Sequence, residues 1–210
     1  MSFFLEVLVG GLLAGVMYSL VALGFVLIYK ASGVFNFAQG ALVLFAALTF
    51  VSLQAMGLPF WGSLLATLVI MVGMGIAIER VVLRPLVNQP PITLFMATIG
   101  LTFFIEGLAQ LMWGSQVHKL DLPIEDVPMQ FLMDHFNIIV SQFDVVAAGI
   151  CALLVICLAL LFSKTKVGRA LRAVADDHQA ALAVGIPLQR IWAVVWGVAG
   201  LVALVAGLLW

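Results

Sequence analysis

Six apolar stretches, each close to the length that crosses the hydrocarbon core of a bilayer, leave this chain little freedom in how it folds. They run Val7 to Tyr29, Phe35 to Leu53, Phe60 to Ile78, Ile92 to Trp113, Asp144 to Phe162 and Ile191 to Trp210. Lipid offers no water to bond backbone N–H and C=O groups, so such stretches must satisfy them internally as helices. With 65% hydrophobic and 9% charged residues, the chain has too little polar surface to cover a soluble globule. The expectation is an all-α, polytopic transmembrane helical bundle of about six spans, forming one domain over residues 1–210. The N-terminus has no basic leader, carries Glu6 and enters a long apolar run, so it reads as a retained first span. Gly10, Gly11, Gly15 and Gly24 along that run predict a packed, interior helix, because small residues let helix backbones approach in lipid.

The polar breaks carry the remaining information. Lys30, Ser32, Gly33 and Asn36 separate the first two stretches, and Met56, Gly57 and Pro59 the next two. Glu79, Arg80, Arg84, Pro85 and the run Asn88 to Pro91 predict a polar loop with a double proline. Residues 114 to 142 form a long mixed loop in which Asp121, Glu125, Asp126 and Asp134 face the single cation Lys119. Six crossings would put Lys30, Arg80, Arg84, Lys164, Lys166, Arg169, Arg172 and Arg190 on one side and only Lys119 on the other. The positive-inside rule then makes the first side cytoplasmic and places both the acidic loop and the N-terminus outside.

The longest polar interruption between the last two stretches is SKTKVGRALRAVADDHQAALAVGIPLQ, Ser163 to Gln189. Read as one helix, it puts Leu171, Val174, Ala175, His178, Ala181, Leu182 and Gly185 on one face and Arg169, Arg172, Asp176 and Gln179 away from it. Arg172 and Asp176 form an i, i+4 pair worth at most a few tenths of a kcal/mol. An amphipathic element of this kind either lies on lipid headgroups or inserts into a protein groove. Its small apolar face and mixed charges favour the groove.

Gln179, Ala180, Ala181 and, after three residues, Gly185 resemble the E-A-A-x-x-x-G coupling loop of ABC importer permeases, with Gln in place of Glu. The longer string VGRALRAVADDHQAALAVGIP resembles the version found in permeases of the branched-chain amino acid uptake family and its urea and amide relatives. Tyr18 to Gly40 is similar to the first two spans of that family, with Asn36, Phe37, Ala38, Gln39 and Gly40 filling its N-F-A-x-G signature. Many members carry His and an acidic residue where this chain has Gln39 and Ala41. Glu79 to Leu86 also resembles a cytoplasmic turn of the family. The resemblance implies a multi-pass permease subunit of the bacterial inner membrane, with a cytoplasmic coupling loop over residues 163–190. It assigns ATPase coupling to Gly168, Arg169, Arg172, Asp176, Asp177, Gln179, Ala180, Ala181 and Gly185. It implies ABC ATPase subunits, a second permease subunit and an extracytoplasmic solute-binding protein as partners, beside membrane lipid. It further implies that the C-terminal part of the family domain is missing here, since members continue beyond the point where this chain stops.

The sequence contains no G-x-x-x-x-G-K-[ST] string, so ATP is expected on the partner subunits and no cofactor on this chain. For the substrate path, Asn36, Phe37, Gln39, Gly40 and Glu106 are the candidates. Asn36 and Gln39 at the mouth of an apolar span allow two compatible readings. One is a broken helix offering hydrogen bonds to a zwitterion or amide, and the other is a capped helix start with Asn36 as N-cap. Glu106 is the ionisable group inside a span, about 10 Å before its outer end at Trp113. It is either a path residue or a structural carboxylate in the outer leaflet. A secondary transporter or channel for a small polar solute is the alternative function, but it would call for more intramembrane charge than Glu106. An intramembrane enzyme is disfavoured because His118, His135 and His178 all lie in loops. Cys151 and Cys157 sit about 120° apart around a helix and cannot share a metal. Nothing in the charge balance points to nucleic acid.

Overall fold

The computed structural model describes residues 2–33, 35–86, 89–116, 119–120, 124, 127–130, 133 and 139–209; the side chains of Ser2, Ala31, His178, Gln179 and Leu182 lie outside that description. The chain is helical through most of each apolar stretch. In order come α1 (Ser2–Ser32), α2 (Gln39–Ala55), α3 (Phe60–Ile78), α4 (Pro91–Trp113), α5 (Gln142–Lys164), α6 (Lys166–Asp176), α7 (His178–Ala183) and α8 (Leu188–Leu209). Among the described residues the extended pairing is one isolated bridge, Pro128 with Ser141, in the loop before α5.

Five helices, α1, α3, α4, α5 and α8, are long and apolar enough to cross a membrane. The sixth apolar stretch is met by α2, whose 17 residues span about 25 Å at the helical rise, short of a typical hydrocarbon core. It starts at Gln39 because the side chain of Asn36 accepts a hydrogen bond from the Ala38 N–H and holds the preceding residues in a turn.

The chain does not leave its helix at Glu79, where a polar loop was expected. It widens into a single π turn over Glu79–Leu83, tightens into a 3-10 turn over Arg84–Leu86, and re-enters a helix at Pro91. Proline suits the first helical position because its missing N–H would be unpaired there anyway.

The interior helix is α8, not α1. Of the apolar span in α8, 72% is buried inside the protein, against 22% in α1. The helix α8 packs on α1, α2 and α3, and it joins the two core clusters. One cluster gathers Phe45, Phe50, Met71, Ile105 and Trp196 from α2, α3, α4 and α8. The other gathers Leu20, Ala147, Cys151 and Val202 from α1, α5 and α8.

Backbone contact explains this placement. A methyl group at Gly200 would lie 2.5 Å from the Met71 carbonyl oxygen, one at Gly207 would lie 2.6 Å from that of Val43, and one at Gly75 would strike the Trp196 carbonyl. By contrast, Gly10, Gly11 and Gly15 of α1 have nothing within 4 Å. A glycine count reports that a helix can approach another backbone; it does not report that one is there.

Candidate functional site

The joint between α1 and α2 is a closed polar knot. Asn36 and Gln39 are both 0% exposed. Asn36 Nδ2 donates to Gln39 Oε1 at 3.4 Å, and Gln39 Nε2 donates to the Ala199 carbonyl of α8 at 3.5 Å. Gly24 of α1 makes room for that amide: a methyl group there would come within 2.5 Å of Gln39 Nε2. Thr98 of α4 donates toward the Phe35 carbonyl at 3.2 Å. The knot therefore ties α1, α2, α4 and α8 together, and each buried amide finds partners inside protein, as the low-dielectric interior demands. Asn36 acts on this turn through Ala38, rather than as the N-cap of a helix beginning at residue 37.

Phe37 and Gly40 are exposed, unlike their amide neighbours. The ring of Phe37 meets Phe95 of α4 edge-on at 5.0 Å between centroids. Gly40, Leu44 and Leu48 follow at four-residue steps and so share a face of α2. Leu44 and Leu48 form one wall of a cleft of about 520 Å³ whose other wall is Phe103, Glu106 and Gln110 of α4, with Gly114 to Gln116 at its end. Glu106 is exposed on this cleft. Of the sequence-predicted path residues, Glu106 lines this cleft; Phe37 and Gly40 are exposed but outside its lining, and Asn36 and Gln39 are buried in the knot. Leu44, Leu48 and Gln110 escaped sequence reasoning. Leucine on an apolar helix carries no signal of its own, and Gln110 becomes notable only beside Glu106, one turn away.

The polar segment is two helices rather than one. Thr165 opens α6 with its hydroxyl accepting from the Gly168 N–H at 3.2 Å. Gly168 packs against the Phe162 carbonyl so closely that a side chain of any size would collide with it. Leu171 and Val174 are buried against the bundle, as expected, and so is Ala181. Ala175 and Gly185, placed on the same face by the single-helix reading, are exposed. Ala175 precedes the break and lines an open recess; for Gly185 the reason is the break at Asp177, whose extended backbone ends α6. Its Oδ1 accepts from the Ala180 N–H at 3.0 Å and so starts α7. Gly185, at φ +82°, turns the chain toward α8 in a conformation that suits glycine. The side chains of His178, Gln179 and Leu182 lie outside the described residues.

Arg172 does not pair with Asp176. Its guanidinium donates to the carbonyls of Phe162 at 3.2 Å and Ser163 at 3.4 Å, and Arg169 reaches that of Lys164 at 3.5 Å. Both arginines thus sit at the C-terminal end of α5, where unpaired carbonyls and the helix dipole favour cations. Arg169, Asp176, Ala180, Ala183 and Val184 remain exposed. Val184, 75% exposed, is an apolar knob that the motif reading passed over as an unspecified position.

Among the described residues the ion pair is Glu79 with Arg84, a two-pronged contact at 3.2 and 3.3 Å. Glu79 is 1% exposed in the π turn, which packs on α4 and α8, while Arg84 keeps 35% of its side chain in the open. The sequence reading treated both as ordinary loop charges.

The family model described as "Branched-chain amino acid transport system / permease component" matches residues 7–210. The high-affinity branched-chain amino acid transport system permease protein LivH of Escherichia coli is 26% identical over 216 residues, covering 99% of this chain and 70% of that protein. The corresponding permease protein BraD of Pseudomonas aeruginosa is 26% identical over 218 residues, covering 98% of this chain and 70% of BraD. A probable branched-chain amino acid transport permease protein LivH of Methanocaldococcus jannaschii is 29% identical over 209 residues, covering 96% and 64%. No solved structure matches the chain. With the match running through the Asn36 knot, the Glu106 cleft and the α6–α7 segment alike, this multi-pass helical chain belongs to the branched-chain amino acid transport system permease family.

Proposed function

We infer that this chain is the membrane-spanning permease subunit of an ABC importer in the bacterial inner membrane, carrying branched-chain or related amino acids, or urea and short amides. The observation that carries the reading is the α6–α7 segment, an exposed charged and apolar surface fixed rigidly to the ends of membrane helices. Cytoplasmic ATPase subunits dock there and supply the energy. Their closure moves α6 and α7, and the capping arginines and the Gly168 contact pass that displacement to α5 as a rigid body. Arg169, Asp176, Ala180 and Val184 form the contact, whereas Gly168, Arg172, Asp177 and Gly185 shape the segment that presents it. The solute passes along the α2–α4 face carrying Phe37, Gly40, Leu44 and Glu106. A second permease subunit supplies the facing wall, and a solute-binding protein delivers from the opposite side of the membrane. The Asn36–Gln39 knot anchors that face, and any rearrangement that frees its amides would offer them to the carboxylate or amide of the solute.

Docking is tested with Asp176→Arg combined with Val184→Glu, which leave the arginine caps intact. Retention of the ATPase subunits after mild solubilisation is expected to fall about tenfold, roughly 1.4 kcal/mol. Full retention with intact transport would remove the docking assignment.

Orientation follows from the eight basic residues at the cytoplasmic side. In a background with Cys151 and Cys157 replaced by Ala, a membrane-impermeant maleimide added outside intact cells is expected to label Ser115→Cys and to spare Lys166→Cys. The reverse pattern would invert the topology.

A further inference from the structure

Where α1, α5 and α6 converge, the protein surface opens into a recess of about 280 Å³. Its floor is apolar, built by Leu27 of α1 and by Leu158, Ala159 and Phe162 of α5. Two cations stand on its lining, Lys30 from the last turn of α1 and Arg172 from α6, and no acidic side chain lines it. Lys30 is exposed and has no ion-pair partner among the described residues. Arg172 caps α5 through two carbonyls, yet a guanidinium carries five N–H groups, so capping does not exhaust it.

We propose that this recess binds an anionic phospholipid, with an acyl tail along the α1–α5 groove and its phosphate between Lys30 and Arg172. The division of the site carries the assignment. A free phosphate would engage the cations and leave the apolar floor uncovered, whereas a neutral lipid would cover the floor and leave two cations unanswered. Basic pockets between membrane helices at the cytoplasmic side suit such headgroups. Leu158 and Ala159 lie inside an apolar span, so the tail enters at hydrocarbon depth. Because Arg172 and Leu171 both belong to α6, the lipid braces the segment that moves during coupling, and membrane charge tunes how firmly that segment is held.

The site itself does not depend on the topology inferred above; only the leaflet does. The test uses the full chain in neutral detergent micelles, which have no leaflets, so its failure stays distinct from failure of the labelling experiment. Native mass spectrometry with phosphatidylglycerol and phosphatidylcholine of matched tails is expected to show the anionic lipid retained with a preference of about fivefold per cation. Lys30→Gln should reduce that preference by about one such factor. Ala159→Trp, which fills the floor from the opposite helix, should lower retention while helical content by circular dichroism stays unchanged. Glycerol 3-phosphate should fail to displace the lipid. Equal retention of the two lipids, an unchanged preference in Lys30→Gln, unchanged retention in Ala159→Trp, or displacement by glycerol 3-phosphate would each overturn the proposal.

Discussion

Gly200→Leu is expected to loosen the whole bundle, lowering unfolding stability by about 3 kcal/mol, the upper part of the usual overpacking range. The blocking atoms are the backbone carbonyl of Met71, at 2.5 Å from the new carbon for oxygen and 2.9 Å for carbon. A side chain could rotate away, but a carbonyl bonded within α3 cannot. Gly75 meets the Trp196 carbonyl across the same interface, so the two helices touch backbone to backbone at two points and cannot yield by tilting about one. The measurement is denaturant unfolding in micelles followed by tryptophan fluorescence, since Trp192 and Trp196 are buried in α8. Gly73→Leu provides the contrast. Gly73 lies two residues from Gly75 with nothing within 4 Å, and its substitution should cost less than about 0.5 kcal/mol, as surface changes usually do. Equal effects at Gly200 and Gly73 would mean that α8 is not held by close backbone approach.

Removing Arg84 should cost about 2–3 kcal/mol, below the 3–5 kcal/mol of a fully buried pair because the guanidinium keeps a third of its side chain exposed. Arg84→Gln leaves the Glu79 carboxylate at 1% exposure without its cation, in a turn packed between α4 and α8. Glu79→Gln removes the charge that needs compensation and should cost less. The double variant should therefore be more stable than Arg84→Gln alone, a non-additivity that a double-mutant cycle in the same unfolding assay reads directly. Strict additivity would show that the pair is not an energetic unit. The π turn gives the pair its place: it carries Glu79 inward on the wall of the bundle while Arg84, five residues on, reaches back to it.

The apolar stretches were legible because crossing a bilayer is a matter of length and composition, both local properties. All six were found as helices, with ends displaced by a few residues at Ser2, Gln39 and Leu188. The amphipathic character of residues 166–176 was legible for the opposite reason: that segment alternates polar and apolar at helical spacing, and Leu171 and Val174 are buried as the spacing implies. The break at Asp177 was not, since an aspartate side chain serves equally as a solvated charge on a helix face or as the cap that starts a new helix. Likewise Arg172 could satisfy an acid one turn away or the carbonyls at the end of α5, and only the approach of α6 to α5 decides between them.

By itself the sequence determined the class of fold and the approximate positions of the apolar helices, because both depend on hydropathy along the chain. Only the tertiary structure decided that α8 and not α1 is the central helix, that Asn36 and Gln39 are knotted inside while Phe37 and Gly40 face out, and that Glu79 is buried. For the choice of central helix the physical reason is general. A helix apolar on every side carries no mark of which face meets lipid and which meets protein, since both neighbours are equally oily. That choice is made by backbone fit, at glycines such as Gly24, Gly75 and Gly200, and fit appears only when the helices are brought together.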